Sequence, residues 1–182
     1  MRSPARISSF LAGMMFLVSS QAQSQLFQEK IRSAVSAAPP SISNDATIMD
    51  YPTRPGGTPT VLRPGKNKWT CFPDDIRTPG NDPMCLDQMW MLWLQAYLSH
   101  TIPQDTASGL AFMLQGGEYA SNTDPFATAP PSGQEWKKAP PHLMLIAPER
   151  LDTMVFAVDQ EHGAPWIMWR GTPYEHLMVP AR

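Results

Sequence analysis

The apolar residues of this chain fall into a few dense runs set among long polar stretches rich in proline. The densest run is Met84 to Leu98, which holds Met84, Leu86, Met89 to Leu94, Ala96, Tyr97 and Leu98. Asp82-Pro83 just before it is a helix-start signal, because a carboxylate accepts from the free N–H groups of the first turn and proline there gives up no bond. The pattern predicts a helix over about residues 83–99, about 24 Å long, apolar all round and therefore covered all round. Leu26, Phe27, Ile31 and Val35 recur at helical spacing and predict an amphipathic helix over Gln25–Ala38, ended by Pro39-Pro40. Thr60–Arg63 and Lys68–Cys71 flank Pro64-Gly65-Lys66-Asn67 and read as a hairpin, with a short strand at Ala46–Met49 ahead of them.

Further on, Leu110–Leu114, His142–Ile146, Trp166–Trp169 and His176–Val179 read as strands. The second and third of these runs are continuous enough for strands covered on both faces. Leu151, Met154, Val155 and Val158 suggest a short helix over Glu149–Val158, and residues 118–141 read as one long loop pinned by Trp136. The sum is a single α+β domain: an antiparallel or mixed sheet of about four to five strands around one buried helix, loop-rich throughout.

The first residues change the picture of what the mature protein is. Arg2 and Arg6 precede an apolar run from Ile7 to Val18, and Ser20-Gln21-Ala22 fits a small-x-small cleavage site. This reads as an export signal over 1–22, followed by a helix and loop over 23–59 and a compact domain over 60–182. No run reaches the roughly 18 apolar residues of a stable membrane span. The chain carries 14 Lys and Arg against 16 Asp and Glu, and loss of Arg2 and Arg6 moves the formal balance from −2 to −4. With no basic run beyond Lys137-Lys138, nucleic acid is excluded as a partner. In an oxidising compartment the two cysteines, Cys71 and Cys85, read as a disulfide worth on the order of 3 kcal/mol, joining a strand end to the first turn of the long helix. The 20 prolines and 11 glycines imply short elements and ordered loops.

One echo carries candidate chemistry. Pro141-His142-Leu143-Met144 and Glu175-His176-Leu177-Met178 repeat His-Leu-Met within two expected strands. Alternation puts His142 with Met144, and His176 with Met178, on one face. Imidazole and thioether together form a donor set for copper. The plainer account is that Met fills gaps in a core and each His caps a carbonyl. Enzyme signals are thinner. Glu161-His162 and Glu175-His176 place acid beside imidazole, Asp74-Asp75 reads as a solvated turn, and no nucleophile elbow, zinc-protease or phosphate-loop motif occurs. Trp69, Tyr119, Trp136 and Tyr174 lie on or beside loops and would line an aromatic pocket for an apolar ligand.

Five stretches carry a resemblance: Lys68-Trp69-Thr70-Cys71-Phe72-Pro73-Asp74, Asp82-Pro83-Met84-Cys85-Leu86-Asp87, Ser121-Asn122-Thr123-Asp124-Pro125, Pro141-His142-Leu143-Met144, and Gly171-Thr172-Pro173-Tyr174-Glu175-His176-Leu177-Met178. They resemble a group of uncharacterised exported bacterial proteins, and they touch most of the chain from about residue 60 onward. The resemblance implies no activity and transfers no catalytic residue. The expectation is therefore a periplasmic or secreted, non-enzymatic binding or structural module without a cofactor. Its two alternatives are a copper-type protein using His142, His176, Met144 and Met178, and a small hydrolase-like enzyme.

Overall fold

The computed structural model describes residues 8–54, 57–104, 106–149, 151–160 and 163–181, with side chains from residue 21 onward. Its elements in chain order are α1 (Ser8–Ser36), α2 (Pro40–Ser43), β1 (Thr47–Asp50), β2 (Thr60–Arg63), β3 (Thr70–Phe72), β4 (Met84–Leu86), α3 (Gln88–Leu98), β5 (Gly109–Met113), β6 (Gly117–Tyr119), β7 (Lys137–Ala139), β8 (His142–Ile146), β9 (Trp166–Met168) and β10 (His176–Pro180). Eight strands form one mixed sheet in the order β2-β1-β3-β4-β5-β8-β10-β9, and β6 pairs with β7 in a separate two-stranded ribbon.

This corrects the expected fold class. The domain is mostly sheet, and no helix forms its centre. The expected helix over 83–99 is two elements. Met84–Leu86 is a strand between β3 and β5, and the helix begins only at Gln88. Asp87, not Asp82, is its N-cap, accepting from Trp90 N. Composition hid the break, because a short buried strand and a buried helical turn are equally apolar and too brief to show a period. Nor is the helix covered all round: Trp90, Trp93 and Leu94 are buried against the sheet, whereas Leu92 is 57% exposed.

The expected hairpin is corrected as well. β1 lies between β2 and β3, antiparallel to β2 and parallel to β3, so the two runs around Pro64-Gly65 never pair. Residues 151–158 form turns and a single bridge, from Ala157 to Trp166, rather than the expected helix. Within the expected 118–141 loop, β6 and β7 pair. The strand expectations near residues 110, 142, 166 and 176 match β5, β8, β9 and β10.

Two cores lie on opposite faces of the large sheet. On one, Ala34 of α1 and Ala37 just after it pack on Ile48, Cys71, Cys85 and Phe112. On the other, α3 packs over Phe72, Leu86, Ala111, Met144, Ile146 and Met178. Residues 21–29 of α1 are all exposed, and among its described side chains the helix meets the domain from Lys30 onward. The position after Ala22 therefore lies in a projecting segment. Cys71 and Cys85 are disulfide-bonded and sit directly opposite each other on β3 and β4. The bridge thus joins two neighbouring strands rather than a strand and a helix. No helix among the described residues is long and apolar enough to cross a membrane.

Candidate functional site

The face of the sheet that carries α3 is unusual in its side chains. Register sets them in rows. Met113 of β5, His142 of β8 and Pro180 of β10 form one row, and Ala111, Met144 and Met178 form the next. Further along β10, His176 lies opposite Met168 of β9. His142, Met144, His176 and Met178 therefore share one face, as alternation requires. Met144 and Met178 are direct neighbours. His176 lies four positions along β10 from the residue opposite His142, about 13 Å measured along the strands.

All four of these residues line one cavity of ≈ 350 Å³ between the sheet, α3 and the loops around residues 75–82 and 117–139. Trp90, Trp93 and Tyr97 of α3 form part of its wall, with Trp169 beyond β9. The Trp90 indole N–H donates to Met144 O at 3.2 Å, which anchors α3 to the floor. The rings of Trp93, Tyr97 and Trp169 lie in nearly parallel planes, 3° to 8° apart, with centroids separated by 5.4–6.0 Å. Trp169 reaches this position from a left-handed backbone, φ 53°. For a bulky side chain that conformation costs about 1–3 kcal/mol. It is held there by Trp169 N donating to Asn122 O, Trp169 Nε1 donating to Ser121 O, and the Thr172 backbone and hydroxyl donating to Trp169 O.

Both histidines are fixed and neutral. The Nδ1–H of His142 donates to Pro140 O at 2.7 Å and that of His176 to Tyr174 O at 2.9 Å, leaving each Nε2 as an acceptor. Burial pushes both imidazoles down to about 4, against the small upward pull of those carbonyls. His176 is walled by Trp90, Trp93 and Trp169, each edge-on at 5.1–5.5 Å. At the other end, Asp82 is buried, and its carboxylate accepts from Asp75 N and the Thr78 hydroxyl. Burial raises its pKa to about 6, against the downward effect of those two donors. A Cβ on Gly117 would stand 3.1 Å from the Met113 methyl and 3.2 Å from Asp82 Cβ, which places acid and thioether in one corner.

The polar atoms of the lining are its most telling feature. Among the described residues four buried side-chain atoms lack a hydrogen-bond partner: Tyr51 Oη, Trp93 Nε1, Tyr119 Oη and His142 Nε2. All four belong to residues that line this cavity. Folded proteins leave few such atoms, because each costs about 1–3 kcal/mol. Burial raises the pKa of Tyr51 well above its ordinary value and that of Tyr119 to about 12, so both remain hydroxyls that can donate.

Of the aromatics expected in a pocket, Tyr119 and Trp136 line the cavity. Trp69 borders a separate hollow with Gln88 and Leu92, and Tyr174 packs behind the wall, edge-on to Trp93 and Tyr97. The expected Glu161-His162 pair lies outside the described residues. Glu175 is turned away, its carboxylate accepting from Leu151 N and Gly171 N. Asp74 and Asp75 bond to the 75–82 loop rather than to each other, Asp74 accepting from Asp82 N and Asp75 from Arg77. Among the described residues no three His, Cys, Asp or Glu side chains cluster as metal ligands. Sequence reading missed Tyr51, Asp82, Trp93 and Met113, which reach the cavity only through strand pairing and loop return. The one sequence signal was the alternation of His142 with Met144, a polar side chain sharing the buried face of a strand. No family model, curated protein or solved structure matches this chain.

Proposed function

We propose that the protein is an exported, non-enzymatic binding protein that takes a small, flat, largely apolar ligand with polar edges into the cavity beneath α3. The observation that carries this reading is that the four residues with unpartnered buried polar atoms all line one cavity of ≈ 350 Å³. Apolar pockets with a few well-placed polar groups are the usual form of a small-molecule site. The disulfide supports an oxidising location, and the charged, apolar and small-residue pattern over residues 1–22 supports export.

The test is titration with 1-naphthalenemethanol, followed by tryptophan fluorescence and calorimetry. Saturable one-to-one binding is expected, and it is expected to be lost on Met144→Trp, which fills the floor. Unsaturable quenching, or binding unchanged by a folded Met144→Trp variant, removes the proposal.

A second reading rests on a separate observation. Met144 and Met178 lie side by side, and the bare Nε2 of His142 belongs to the same face. A soft monovalent ion such as Cu(I) suits thioether and imidazole donors. Anaerobic titration with Cu(I) against a chelator decides it: stoichiometric binding lost in His142→Ala supports it, and no competition with the chelator ends it.

A further inference from the structure

Resting on the proposed binding role, we propose that the cavity selects organic cations: its ligand carries a protonated amine or quaternary ammonium on an aromatic ring. The argument begins with charge. Five ionisable side chains besides histidine and tyrosine line the cavity: Asp75, Arg77, Asp82, Glu118 and Asp124. Arg77 is the single cation among the described lining residues, and it is committed. Its Nε and Nη2 donate to both oxygens of Asp75 at 2.6–3.0 Å. Glu118 has Lys138 at 3.6 Å. Asp82 and Asp124 have no cationic partner among the described residues.

Asp82 is the one that matters energetically. It is only 6% exposed, and its two oxygens are met by a neutral amide and a neutral hydroxyl. A buried carboxylate so placed gains from any cation brought near it, far more than an exposed one would. An entering anion would meet that same carboxylate with no free positive group to balance it.

The aromatic wall points the same way. Ring faces are negative, and a cation within about 6 Å of a centroid gains up to about 2 kcal/mol when desolvated. Trp93, Tyr97 and Trp169 line the cavity with rings in nearly parallel planes. The entrance already holds one such contact, the Arg77 guanidinium lying 5.6 Å from the Tyr51 ring centroid.

Three probes share one ring and differ in charge: 1-naphthylmethylamine, 1-naphthalenemethanol and 1-naphthoate, titrated by calorimetry into the full-length mature protein at pH 7.5 and fixed ionic strength. The expected order is amine, alcohol, acid, with about tenfold between first and last. Asp82→Asn should shrink the amine-over-alcohol ratio, which is read within the variant so that any change common to both probes cancels. Arg77→Gln, at a largely exposed position, frees Asp75 and should widen that ratio. Equal binding of all three leaves the cavity reading standing and overturns the cation inference, as does tighter binding of the acid. If none of the three binds, both fall. Should Asp82→Asn fail to fold, the wild-type order and Arg77→Gln still decide.

Discussion

One carboxylate joins Asp87 to Leu110. Oδ2 accepts the Leu110 backbone N–H at 2.6 Å, while Oδ1 accepts Trp90 N at 2.9 Å and caps α3. The wall of the cavity and the strand beneath it are thus tied by a single side chain. Asp87→Ala removes a helix cap and leaves a half-buried strand amide without its partner. The expected loss is about 2–3 kcal/mol, read from the urea midpoint. Asp87→Asn, which keeps one acceptor oxygen, should cost less. Equal stability of wild type and Asp87→Ala would show that the contact contributes nothing.

Acid should unfold this protein through its histidines. His142 and His176 have folded pKa values lowered from 6.5 to about 4, so their stabilising contribution is full above pH 6.5 and lost as pH falls toward 4. Each is worth on the order of 3 kcal/mol across that window. Asp82 acts oppositely: its pKa is raised from 3.8 to about 6, so its contribution is present at low pH and lost as pH rises. Two histidines outweigh one carboxyl. Stability is therefore expected to climb from pH 4 to pH 6.5, and His142→Leu should remove most of the slope, because the remaining imidazole is then offset by the Asp82 carboxyl. A flat profile in urea melts over that range refutes the assignment.

The disulfide clips strands that already pair, and its ring encloses the 75–82 loop that carries Asp82. Reduction should lower stability by about 3 kcal/mol. It should also broaden the Asp82 resonance in a carboxyl-detected spectrum, because the loop loses its fixed ends. Alkylation of the unreduced protein, followed by mass spectrometry, should find no free thiol.

Gly65 has no room for a side chain. A Cβ there would lie 2.2 Å from Thr47 N and 2.5 Å from Ala46 C, both backbone atoms that cannot swing aside. Gly65→Ala is expected to destabilise by about 3 kcal/mol or more, measured by thermal melting. A melting temperature within a degree or two of wild type would mean the turn re-forms elsewhere.

Much of the sheet was legible and its order was not. The runs at Leu110, Leu143, Ile167 and Leu177 announce strands because each packs an apolar side chain on at least one face. Nothing local says that β1 inserts between β2 and β3, since a parallel neighbour twenty residues away leaves no turn signal. Met84-Cys85-Leu86 was misread because three apolar residues followed by an apolar helix form one continuous run. The site divides similarly. His142 and Met144 could be placed together by alternation, whereas Asp82 joins them through the loop around residue 78, Tyr51 through the placing of β1 beside β3, and Trp93 through α3. Gly171-Thr172-Pro173 signals a turn after the apolar run, but nothing in Trp169 itself announces its positive φ.

The placement of β1 sets an order of events. Made amino end first, the polypeptide presents Thr47–Asp50 well before Thr70–Phe72, the strand that must flank it. Until that flank arrives, Ile48 and the edge of β2 have nothing to zip onto but each other. The amino-terminal strands can therefore close once Phe72 is made, whereas β8 must wait for His176–Pro180 near the far end, so the sheet is completed from its first edge toward its last.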